Sequence, residues 1–145
     1  MSPPKKQSNI RRASRVVRNN EKIRRVHEAI EALESGIPNI INEKHNQLAI
    51  DFLQAEDMAE VFDWVLSLLD EIRLLGPAEC FHGKYVHQCY EKGYTDLDLF
   101  AYRWESELLG VKTYLKFGIR TVKDSRSKRH TYCHLDIHED TPKNR

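Results

Sequence analysis

The chain is poor in cysteine: Cys80, Cys89 and Cys133 are the only three in 145 residues, and no two form a C-x-x-C pair. So odd and sparse a set excludes a disulfide framework and a thiolate zinc site, and reduced thiols in a cytoplasm are the simplest reading. Long hydrophobic runs are also missing, so no segment is expected to span a bilayer and no membrane partner is expected. The N-terminus carries charge without an apolar h-region, which argues against a secretory signal and again for the cytoplasm. Internal repeats are absent.

What is there suits one globular domain. The length gives room for a single core, and the 40% hydrophobic content is ordinary. The net charge of +1 conceals an asymmetry. Residues 1–25 hold nine lysines and arginines against Glu21 alone, a charge of +8, so the remainder carries −7. A basic arm on an acidic body points to a polyanion, with Arg11, Arg12, Arg15 and Arg18 as candidate nucleic-acid contacts; the alternative is a solvated tail.

Along the chain, residues 1–8 read as a disordered basic tail and residues 9–36 as a basic N-terminal helix. Ile23, Val26, Ile30 and Leu33 form the helix's apolar stripe, Asn19-Asn20 is a candidate interruption, and Gly36 and Pro38 are stop signals. Residues 48–53 read equally as a strand or a helix. Asp57 and Glu60 form a capping-box pattern opening a helix, which Gly76-Pro77 ends. The period then changes. Residues 84–89 read as a short strand, 97–105 and 112–122 as longer ones, and 130–140 as the last. The expected architecture over residues 37–142 is α+β, with helices packed on one side of a three- to four-stranded antiparallel sheet.

The last strand concentrates the chemistry. Strict alternation puts His130, Tyr132, His134, Asp136 and His138 on one face, and Thr131, Cys133, Leu135 and Ile137 on a core face. Pairing with the preceding strand adds Lys112, Tyr114, Lys116 and Arg120 to the polar face, within reach of Arg103. Lysine and arginine hold phosphates, and Tyr and His rings stack on splayed bases. The same groups cleave RNA without a metal: a base takes the 2′-hydroxyl proton, cations stabilise the phosphorane, and an acid protonates the leaving 5′-oxygen. A metal on His134, Asp136 and His138 is the rival. On a flat strand these residues span about 13 Å, so all three share an ion only if the strand bends. A solvated polar face is the bland alternative. Cys133 and His134 point to opposite faces, which disfavours a Cys–His dyad.

Several strings resemble the RelE/HigB/ParE superfamily of toxin–antitoxin toxins, over roughly residues 48–142. VFDWVLSLLDEIRLLGP (61–77) is similar to the family's second helix, with its closing Leu-Gly-Pro phrase. GKYVHQC (83–89), LFAYRW (99–104), TYLKFGI (113–119) and TYCHLDIHEDTP (131–142) resemble its successive strands. The resemblance implies a RelE-like fold and a cytoplasmic toxin that cleaves mRNA as an endoribonuclease, in some cases on the ribosome, without a cofactor. It also implies a cognate antitoxin protein. Arg103, Lys116 and a C-terminal histidine match family roles. The full expected set is therefore His134 and His138 for proton transfer, Lys116, Arg120 and Arg103 for charge, and Tyr114 for stacking or proton transfer. Lys112, Tyr132 and His130 are expected to bind nucleic acid. The chain departs from the family in having Leu115 where an arginine is usual, a longer basic N-terminus and a His-richer last strand. Two alternatives follow: a ParE-like toxin that inhibits gyrase, and a non-catalytic nucleic-acid-binding protein.

Overall fold

The computed structural model describes residues 15–123 and 126–141. Its order is α1 (Asn19–Ser35), β1 (Asn39–Ile40), α2 (Asn46–Leu53), α3 (Met58–Leu75), α4 (Pro77–Cys80), β2 (His87–Gln88), β3 (Asp98–Ser106), β4 (Val111–Lys123) and β5 (Lys128–Glu139). The α+β expectation holds, with helices covering one face of the sheet. The sheet differs from expectation: it has five strands, in the order β1-β5-β4-β3-β2, and it is mixed. β1 runs parallel to β5, while the other pairs are antiparallel. β1 and β2 have two residues each, too few for alternation to register in a sequence.

Helix α3 forms as its sequence dictates. The Asp57 side chain accepts from the Glu60 N–H at 3.0 Å, and Glu60 Oε1 accepts from the Glu56 N–H at 2.8 Å. Val61, Val65, Leu68, Leu69 and Ile72 recur at helical spacing and are fully buried. Gly76, at φ +114°, turns the chain out of the helix into Pro77 at the start of α4.

The N-terminal region departs from its expected form. Residues 15–17 are extended, not helical. Val16 bridges to Tyr85, the Val17 N–H donates to the Lys84 carbonyl at 2.9 Å, and the Val86 N–H donates to the Arg15 carbonyl at 3.1 Å. Asn19 and Asn20 open α1 and do not interrupt it. The α1 core face is Val26, Ala29 and Ala32, with Ile23 left exposed. The two alanines let α1 lie close to α3 and β5. The Tyr102 hydroxyl donates to the Lys22 carbonyl at 2.7 Å. The helix expected as a basic addition is therefore part of the core. Residues 46–53 settle as helix, with Ala49 and Leu53 buried.

The helix-facing side of the sheet supplies Phe100, Tyr102, Trp104, Leu115, Phe117, Tyr132 and Ile137. Tyr102 stacks on Phe117 with centroids 5.7 Å apart. A second, smaller core lies on the opposite side, where Leu97 and Cys89 of the segment after β2 join Leu99, Cys133 and Ile41. Half of the sheet's far face is thus roofed. Gly118 lies beneath Leu97, and a Cβ there would come 2.7 Å from its side chain.

Candidate functional site

The unroofed half of the far face holds the candidate site, and a β-bulge decides its membership. β4 and β5 pair Tyr114 with His138, Leu115 with Ile137 and Lys116 with Asp136; the register then shifts, and Phe117 faces His134. Leu135 is the extra residue. One inserted residue reverses the face of everything beyond it. Asp136 and His138 therefore share the far face with Tyr114 and Lys116. His130, Tyr132 and His134 turn to the helices instead, correcting the single polar face expected from strict alternation. Cys133 correspondingly leaves the main core for the smaller one.

The residues expected to act together separate as follows. His134 is 2% exposed, hydrogen-bonded through Nδ1 to the Tyr132 hydroxyl at 2.9 Å and set edge-on to Phe62 at 5.7 Å. Burial, with a further push from His45, drops its pKa to about 3, so it is neutral, and it faces the helices rather than the far face. Tyr132 is fully buried. His130 faces α1, 3.8 Å from Glu28, with Nδ1 2.9 Å from Thr121 Oγ1. Arg120 lies at the roofed end, six residues or ~20 Å along β4 from Tyr114. Its guanidinium donates to the Gly93 carbonyl and Asp96 and packs over the Tyr94 ring. His134, Tyr132, His130 and Arg120 thus leave the site. Because His134 faces away from Asp136 and His138, those three do not converge on one ion, and among the described residues no three His, Cys, Asp or Glu side chains do.

Arg103, Tyr114, Lys116 and His138 do come together, on β3, β4 and β5. Tyr114 and His138 stack with centroids 4.9 Å apart and planes at 15°. Arg103 lies across from Tyr114 in register, with Nη2 2.8 Å from Asp140 Oδ2. Lys112 is exposed at the rim, 4.0 Å from Glu105. Of the basic arm, Arg15 is held by Glu21 at 2.6 Å and Asp98 at 3.1 Å, so it braces the body. Burial pushes the Glu21 carboxyl up, but hydrogen bonds from Arg15 and Arg25 outweigh it and hold Glu21 ionised. Arg18 is exposed at the start of α1. Arg11 and Arg12 lie outside the described residues.

Four members had gone unassigned in the sequence, and Asp136 was expected only on the polar face and in the rival metal set. His82, after α4, sits edge-on to Tyr114 at 6.0 Å and 3.4 Å from Arg103 Nη1. His87 of β2 pairs with Leu99 in register, and its pKa is lowered by burial and by Lys116 and His82. His45 Nδ1 lies 2.9 Å from Asp136 Oδ1 and 3.0 Å from the Leu135 carbonyl, clamping the bulge. Asp136 and Asp140 supply the carboxylates. The only sequence signal for His82 and His87 is their place just before the sheet.

Electrostatically the site is nearly balanced, with two cations and two carboxylates among four imidazoles. Burial, then Asp136 and Asp140, raises Tyr114 to about 12, so it is a neutral phenol. Burial lowers Lys116, partly offset by Asp136, making it a readier proton donor. Perturbed groups gathered in one place are typical of a reactive site. The 390 Å³ groove lined by Leu33, Ile37, Phe62 and Leu66 lacks such groups. The chain matches no protein-family model, no curated protein and no solved structure.

Proposed function

We propose that the protein is a RelE/HigB/ParE-like toxin of a toxin–antitoxin pair, a metal-independent endoribonuclease acting on mRNA in the cytoplasm, on or off the ribosome. The observation that carries this reading is the Tyr114–His138 stack, flanked on one sheet face by Arg103 and Lys116. A base stacks against the aromatic pair, Arg103 and Lys116 hold the phosphate, and His138 accepts the 2′-hydroxyl proton. The resemblance of residues 48–142 to the family and the helices-on-sheet layering support the same reading. A RelE-like fold and a small antitoxin protein as partner belong to this proposal.

A second reading is a non-catalytic toxin or nucleic-acid binder, in the manner of a gyrase inhibitor. The pairing of Arg103 with Asp140 favours it, because it neutralises a cation that phosphate would otherwise use. Incubating the pure protein with RNA separates the two. The expected result is cleavage that survives EDTA and falls about 10²- to 10⁴-fold in His138→Ala. Growth arrest without RNA fragments establishes the second reading. Cleavage lost on EDTA refutes metal independence.

A further inference from the structure

Two imidazoles flank Tyr114, and their hydrogen bonds fix opposite tautomers. Arginine carries only donors, so His82 Nδ1, 3.4 Å from Arg103 Nη1, presents a lone pair. A neutral His82 keeps its proton on Nε2. A carbonyl carries only lone pairs, so His138 Nδ1, 2.9 Å from the Glu139 carbonyl oxygen, bears a proton. A neutral His138 leaves Nε2 bare. One ring thus offers a base and the other an N–H donor, on either side of one phenol.

We propose that His82 is a catalytic residue whose Nε2–H donates to a non-bridging oxygen of the scissile phosphodiester in single-stranded RNA. The inference rests on the ribonuclease reading and names the group that receives the developing charge. His138 Nε2 takes the 2′-hydroxyl proton, the 2′-oxygen bonds to phosphorus, and the phosphorus–O5′ bond breaks. The Lys116 ammonium protonates O5′. The products are a 2′,3′-cyclic phosphate and a 5′-hydroxyl, with His138 left as imidazolium and Lys116 as amine until they exchange protons through water.

His82 is a donor here and not the acid. Giving up its one proton would leave an imidazolate. Taking a second proton at Nδ1 would set an N–H against the Arg103 N–H, and Asp140 holds that guanidinium in place. The charged and titratable groups facing His82 are Arg103 of β3, Tyr114 of β4 and, through its charge, His87 of β2. A preset N–H donor at developing charge is an efficient stabiliser, because it needs no rearrangement during reaction.

The test compares wild type, His82→Phe and His82→Gln. Three readouts are used: single-turnover cleavage of a short RNA against pH, binding of the same RNA with 2′-deoxy at the cut position, and ring ¹⁵N shifts of the free protein. His82→Phe is expected to cut about 10²-fold more slowly at every pH, without moving either limb of the profile. His82→Gln, which restores an N–H near the ε position, is expected to recover to within ~10-fold of wild type. The ¹⁵N shifts are expected to place the proton on Nε2 of His82 and on Nδ1 of His138. Cleavage by His82→Phe at wild-type rate overturns the inference and leaves the ribonuclease reading standing. So does an alkaline limb that moves, since it would make His82 the acid. If wild type binds the 2′-deoxy RNA through His82 but cuts no RNA, the ribonuclease reading falls and the phosphate contact stands. If His82→Phe binds as wild type does, the contact falls too.

Discussion

Replacing His134 separates structure from chemistry most sharply. The ring is buried against Phe62 and Tyr132, and among the described residues its Nε2 has no hydrogen-bond partner. His134→Ala removes a large core side chain, worth about 2–4 kcal/mol. It also strips the buried Tyr132 hydroxyl of its partner, worth about 1–3 kcal/mol, while relieving the orphaned Nε2. The expected loss is therefore about 3–4 kcal/mol, or ~2 M in the urea midpoint for a slope of roughly 1.5 kcal/mol/M. Tyr132→Phe with His134→Phe replaces both partners by rings of similar shape and is expected to restore most of that loss, because no buried polar atom is then unpaired. The pH dependence carries a sign. The unfolded histidine takes a proton near its ordinary 6.5, but the folded one only near 3. The contribution is complete above 6.5 and is lost as pH falls toward 3, at about 1.4 kcal/mol per pH unit. His87, also lowered by burial, adds in the same direction. The double variant is expected to lose one proton's share of this slope, measured by urea titrations between pH 7 and 4.5. RNA cleavage per folded molecule is expected to remain. For His134→Ala a stability within about 0.5 kcal/mol of wild type, for the double variant an unchanged slope, or for either a cleavage loss like that of His138→Ala would refute the assignment of His134 to the core.

Two further perturbations test the frame around the site. Glu71 accepts from Trp104 Nε1 and Ser106 Oγ at 2.7 Å and from the N–H groups of Glu107 and Leu108 at 2.8 and 3.2 Å, pinning the β3–β4 hairpin to α3. Glu71→Gln sets an amide N–H₂ against one pair of these donors and is expected to cost about 1–3 kcal/mol at neutral pH. Burial raises the Glu71 carboxyl, but the four hydrogen bonds outweigh that and hold it low. Its contribution is present above the ordinary carboxylate range and lost as pH falls through the lowered value, so thermal scans should show the gap between variant and wild type narrowing in acid. Gly118→Ala drives a Cβ to 2.7 Å from Leu97 and 2.9 Å from the Asp98 carbonyl. It is expected to lower stability by about 1–3 kcal/mol in denaturant titration and to loosen the roof over Cys89 and Cys133. An unchanged midpoint would contradict the close packing of Leu97 on the strand.

The long elements were legible in the sequence because their patterns repeat. The α3 stripe, the Asp57 cap and the Gly76-Pro77 stop each rest on residues within a few positions of one another. The alternation of β4 likewise placed Lys112, Tyr114 and Lys116 opposite Thr113, Leu115 and Phe117. β5 was legible only in part, since alternation presumes an unbroken strand and the Leu135 bulge breaks it. That one residue moved Tyr132 and His134 into the core and kept His138 on the far face.

By itself, then, the sequence determined α3, the body of α1, the three long strands, the polar face of β4 and the histidine-rich character of β5. Those are local properties, set by spacing and turn chemistry. Tertiary structure alone decided which histidines gather on the far face beside Arg103 and Lys116. His82 arrives from a loop and His87 from a two-residue strand, His45 clamps the bulge from across the sheet edge, and Asp140 meets Arg103 from just beyond β5. Each of these contacts joins residues far apart in the chain, through sheet register and side-chain packing that no local window contains.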